Sequence, residues 1–90
     1  MILSVDISMY PLQDDYKTKI KDFLADINAH ASSKGIEIRT SNMSTRVFGE
    51  FEAVTALLNE AMLSSMQKYG KIVFVCKYLQ GDARDLSGYE

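Results

Sequence analysis

Apolar and polar residues alternate strictly at the start of the chain. In residues 2–10, ILSVDISMY, Leu3, Val5, Ile7 and Met9 fall on one side and Ser4, Asp6, Ser8 and Tyr10 on the other. That period of two predicts a strand with one buried and one polar face. Pro11 closes it, because proline donates nothing to a ladder. Asp14 or Asp15 then stands where a helix cap is needed. Beyond it Tyr16, Ile20, Phe23, Leu24, Ile27 and Ala31 recur at helical spacing, and Gly35 is the stop.

Residues 36–40, IEIRT, alternate again, with Ile36 and Ile38 inward and Glu37 and Arg39 outward. Ser41, Asn42, Met43 and Ser44 form a polar connection. Residues 45–51, TRVFGEF, predict a third strand, in which Gly49 marks a bulge or a close backbone approach. A second helix from about Phe51 or Glu52 buries Val54, Leu57, Leu58, Ala61, Met62 and Ser65 and closes near Tyr69 and Gly70. Residues 71–79, KIVFVCKYL, predict the last strand, apolar and β-branched enough for a central place. Residues 81–90 read as a loose, polar tail on a single domain spanning 1–90.

The order β-α-β-β-α-β predicts an α+β, ferredoxin-like sandwich: a four-stranded antiparallel sheet with both helices on one face. The other face is left open and carries Ser4, Asp6, Ser8 and Tyr10. The last strand adds either Val73, Val75 and Lys77 or Ile72, Phe74, Cys76 and Tyr78. Such a mixture suits a partner or a ligand better than bulk water.

Composition removes several function classes. At 90 residues the chain is small enough that a lone copy is marginal and association with a second would help. A net charge of −2 gives no electrostatic support to nucleic-acid or anionic-membrane binding. No apolar run is long enough to insert in a membrane, and no secretory pattern opens the chain, so a cytoplasmic location is expected. One cysteine and one histidine forbid a thiolate zinc cluster and a multi-histidine metal site, so neither metal nor cofactor is expected. His30 reads as a solvated residue near a helix end and Cys76 as a small hydrophobe in an apolar strand. No catalytic residue is expected, and the chain reads as a non-enzyme.

Two activities that share this topology are weighed and set aside. Residues 46–51, RVFGEF, faintly echo the third strand of an RNA-recognition motif. Val47 stands where glycine is usual, however, and the first strand offers Leu3 or Val5 where an aromatic would stack. An acylphosphatase needs an anion-cradling loop with an arginine after strand one, and residues 10–13, YPLQ, contain neither glycine nor arginine.

A polar cluster is more informative. Ser8, Tyr10, Thr40, Ser41, Asn42, Ser44 and Thr45 lie at the end of strand one and around the connection between strands two and three. Ser41 and Asn42 read as turn formers. The hydroxyls of Ser8 and Thr45, placed on strands, offer donors and acceptors to a small heteroaromatic ring. Tyr10 can supply an aromatic wall, and Asp6 can balance a ligand cation.

Residues 5–12, VDISMYPL, with residues 40–54, TSNMSTRVFGEFEAV, resemble the YkoF-like family of small thiamine- and hydroxymethylpyrimidine-binding proteins. The shared pattern is Ser8-x-Tyr10-Pro11-Leu12, then Thr40-x-x-Met43-Ser44-Thr45, then Gly49 before the second helix. The resemblance implies binding without chemistry: thiamine or its pyrimidine moiety held for uptake or salvage. It implies Ser8, Tyr10, Thr40, Met43, Ser44 and Thr45 as ligand-binding residues, with Asp6 as an added partner for the aminopyrimidine. It also implies a homodimer or homotetramer built through the sheet. The alternative is an oligomeric interaction or regulatory module with no small ligand.

Overall fold

Strand β1 (Ile2–Pro11) forms where the alternation is strictest, and its odd-numbered side chains Leu3, Val5 and Ile7 are buried. Helix α1 (Tyr16–Ala31) follows and ends in a short 3₁₀ turn, after which Gly35 takes a positive φ of 68°. The computed structural model describes residues 1–12 and 14–84. Strands β2 (Glu37–Thr40) and β3 (Thr45–Glu50) make a hairpin, α2 (Phe51–Tyr69) crosses back, and β4 (Ile72–Gln80) completes the sheet. The strand order is β2-β3-β1-β4 with every neighbouring pair antiparallel. This is the ferredoxin-like α+β architecture expected from the sequence.

The core lies between the sheet and the two helices. Val5, Ile27, Val47, Val54 and Leu58 are its most buried side chains. Gly49 is a close approach: a Cβ there would stand 3.1 Å from Ile36 Cγ1 and 3.2 Å from Val54 Cγ2, so a side chain would fit only if those neighbours gave by a few tenths of an ångström. A polar clamp joins the helices, with the Tyr69 hydroxyl and the Lys68 ammonium both donating to Asp22 Oδ2, at 2.7 and 3.0 Å. Those donors hold the Asp22 carboxyl below its ordinary value, and the same bond to Asp22 pushes the Tyr69 phenol up.

Three expectations need correction. First, β4 is an edge strand, paired only with β1. Its run of apolar residues mimics burial on both faces, but Val73, Val75 and Leu79 are exposed on the open face. Register decides the open alternative. Ser4, Asp6, Ser8 and Tyr10 sit opposite Leu79, Lys77, Val75 and Val73, so those four join the open face while Phe74 and Cys76 pack toward the core.

Second, Asp15 precedes α1 in a left-handed conformation (φ 63°) and makes no side-chain cap to the helix backbone. Its carboxylate instead accepts from the Thr18 hydroxyl at 2.8 Å. Third, the start of the tail is pinned, because residues 81–84 fold onto the open face. Gly81 N–H donates to the Ile2 carbonyl at 2.9 Å. Ser4 Oγ donates to the Gly81 carbonyl at 2.7 Å and accepts from Ala83 N–H at 2.9 Å. The Arg84 and Arg39 guanidiniums lie 5.7 and 5.4 Å from the centre of the Phe48 ring, which is thereby buried on a face that topology leaves open. Residues 85–90 of that tail lie outside the described residues.

Candidate functional site

The β2–β3 hairpin is shorter than the strand beside it. β3 pairs with β1 from Glu50 opposite Ile2 to Thr45 opposite Ile7, whereas β1 runs on to Pro11 with β4 alone. Four residues of β1, from Ser8 to Pro11, therefore have no partner on the β3 side. Into this notch opens a cavity of about 490 Å³, inside the range of small-molecule sites.

Each wall comes from a different element. Ile7 and Met9 supply the sheet side, Tyr16, Ile20, Phe23 and Leu24 of α1 lie across from them, and residues 40–45 close the end. Phe23 is held in place by Phe74, with ring centres 5.2 Å apart at 47°. Ser41 fixes the hairpin turn: its N–H donates to the Ser44 carbonyl at 2.9 Å, and its hydroxyl accepts from Met43 and Ser44 N–H at 3.3 and 3.4 Å. Leu12, Tyr16 and Met43 are all exposed around the opening, an apolar rim that water covers poorly.

Six of the seven sequence-nominated residues border this cavity: Ser8, Tyr10, Thr40, Met43, Ser44 and Thr45. They do so in two ways. Thr40 and Thr45 share the helix-facing side of the hairpin, with Thr45 buried and their hydroxyl oxygens 3.3 Å apart. Ser8 and Tyr10 have even-numbered positions on β1, so alternation turns their side chains to the open face and leaves their backbone edge toward the notch.

Asp6 is set apart from the other six. It lies between Arg46 of β3 and Lys77 of β4 on the open face, in a smaller cavity of about 170 Å³ with Phe48, Leu79 and Ala83. Its Oδ1 is buried without a hydrogen-bond partner among the described residues.

The α1 residues of the cavity were not singled out by the sequence as site residues. Their spacing is that of any core stripe, and only Tyr16, an aromatic in the first turn, hints otherwise. Neither chemically reactive side chain lies at this site. Burial pushes the Cys76 thiol up, and His30 is exposed on α1, where Nδ1 donates to the Asp26 carbonyl at 2.9 Å. No group of three or more His, Cys, Asp or Glu among the described residues could hold a metal ion, and none of the described helices is long and apolar enough to cross a membrane.

No protein-family model matches the chain, and no curated protein matches it. Solved structures do match. A Streptococcus pneumoniae protein is similar at a TM-score of 0.73 and 17% identity, over 98% of this chain and 96% of that one. A hypothetical protein from Methanocaldococcus jannascii gives a TM-score of 0.73 and 14% identity, over 93% and 84%. A Thermotoga maritima protein, provisionally named for thiamine biosynthesis or salvage, gives 0.67 and 20% identity, over 90% and 85%. Likeness at these identities is likeness of fold.

Proposed function

We propose that this chain is a single-domain relative of the YkoF-like proteins and binds thiamine or its hydroxymethylpyrimidine moiety, without catalysing a reaction on it. The observation that carries this reading is convergence at the notch. Six residues nominated from sequence border a cavity of suitable size, whose walls are apolar and whose end carries hydroxyls. A provisionally named thiamine biosynthesis or salvage protein with the same fold adds support. In this reading the aminopyrimidine lies between Met9 and the α1 side chains. The unpaired β1 edge and the Thr40–Thr45 hydroxyls satisfy its ring nitrogens and amino group. Leaving one such buried group unpaired is what makes a polar pocket selective.

The test is calorimetric titration of the folded protein with thiamine and with hydroxymethylpyrimidine. Saturation near one ligand per chain at micromolar affinity, about −8 kcal/mol, is the expected result. Absence of heat with both ligands would overturn the reading.

The proposal also includes a second copy of the chain, docked on the open face. Residues 81–84 cover the β3 side of that face, while Tyr10, Val73, Val75 and Leu79 stand exposed on the β1–β4 side. Asp6 Oδ1 has no partner there, and Lys77 enters no ion pair among the described residues. A two-fold axis through this half-face would bring Asp6 of each copy toward Lys77 of the other. Should the titrations show no ligand, the interaction-module reading would rest on this surface alone.

A further inference from the structure

The chemistry of the notch discriminates among the ligands of the proposed function, on which this step rests. None of the sixteen described residues lining the cavity carries a formal charge at neutral pH; the polar members are hydroxyls and one amide, that of Asn42. The cations nearest in sequence are engaged or absent from the lining. Lys19 Nζ donates to the Asp14 carbonyl at 2.8 Å and stands over the Tyr69 ring. Arg39 is paired with Glu37, and Arg46 belongs to the opposite face of the sheet. Lys17 and Lys71 are exposed and do not line the cavity.

The chain beside the opening carries both signs, Asp14 and Asp15 together with Lys17 and Lys19. Asp14 and Asp15 lie in the chain between two lining residues, Leu12 and Tyr16, at the start of α1. Two carboxylates there offset the positive end of the helix dipole, which alone would favour an anion.

We infer that this site takes the unphosphorylated alcohol, neutral or carrying a single positive charge, and rejects its phosphate esters. A phosphate needs charge-assisted donors, and burying one among lining residues that include no cation leaves its charge uncompensated. A thiazolium cation meets no such penalty, because the exposed ring of Tyr16 borders the opening and attracts positive charge.

The experiment measures, on the full chain, affinities for hydroxymethylpyrimidine and its phosphate and for thiamine and thiamine monophosphate. Each phosphate ester should bind at least tenfold more weakly than its parent alcohol. Equal affinity within each pair would overturn this inference and leave the binding function standing. Failure of all four ligands would overturn both. A second arm uses Asn42→Lys, which adds a cation to an exposed lining position. This variant should narrow the ratio between alcohol and ester at least threefold, and an unchanged ratio would also overturn the inference.

Discussion

The Thr40 and Thr45 hydroxyls lie 3.3 Å apart across the base of the β2–β3 hairpin, one exposed and one buried, on the side of the sheet that faces α1. Thr45 is the last residue of β3 opposite β1, so its hydroxyl stands where paired sheet gives way to the notch. Replacing Thr45 by valine removes a buried polar group at the end of the cavity. Affinity for hydroxymethylpyrimidine should fall about tenfold, or about 1.4 kcal/mol, in calorimetric titration. Ser8→Ala should change it less than about twofold, because the Ser8 side chain faces away. A loss at Ser8 as large as that at Thr45 would move the site to the open face.

Ser4 is expected to hold the 81–84 segment in place. Its hydroxyl bonds two backbone groups across the sheet, and the residue is buried. Ser4→Ala should cost about 1–3 kcal/mol in urea denaturation, the usual penalty for orphaning buried polar groups. Exchange of the Ala83 amide should accelerate at the same time. An Ala83 amide as protected as in the parent protein would show that the segment is held by other means.

Acid should release the same segment. Hydrogen bonds from Arg84, first through its side chain and then its backbone, lower the Asp82 carboxyl from its ordinary 3.8 to about 2. Glu37, bonded by Arg39 and Arg84, is lowered as well. Groups depressed on folding bind fewer protons folded than unfolded, so their contribution is complete above about pH 5 and is lost as pH falls toward 2. Amide NMR of residues 81–84 between pH 6 and 2 should show them loosening below pH 4. A segment unchanged down to pH 2 would contradict that coupling.

The open face offers a test by charge reversal. If Asp6 of one copy meets Lys77 of another, Asp6→Lys and Lys77→Asp should each weaken self-association about tenfold or more, and combining them should restore it. Sedimentation velocity reads the outcome. Two single variants that associate like the parent would place any dimer contact elsewhere.

Most of the fold is legible in the sequence because each element announces itself by its own period. Leu3, Val5 and Ile7 repeat every second residue, and the stripe from Tyr16 to Ala31 follows the helical repeat. What local pattern cannot show is lateral order. The run of residues 72–76 looks two-sided, and nothing within it says that β4 has a neighbour on one side only. The candidate site is half legible for a related reason. Thr40, Met43, Ser44 and Thr45 stand together in the chain, whereas Ile20, Phe23 and Leu24 have core spacing and become cavity walls only because β3 stops short of the end of β1. Asp6 shares the periodicity of Ser8 and Tyr10 but lies before the point where β3 ends, between Arg46 and Lys77, and so falls outside the notch.

Amide NMR mapping of bound hydroxymethylpyrimidine tests the location of the site. The expected shifts concentrate at Met9, Leu12, Phe23, Ser44 and Thr45, around the notch. Shifts concentrated at Asp6, Val75 and Lys77, with the hairpin unmoved, would contradict a binding site on the helix-facing side of the sheet.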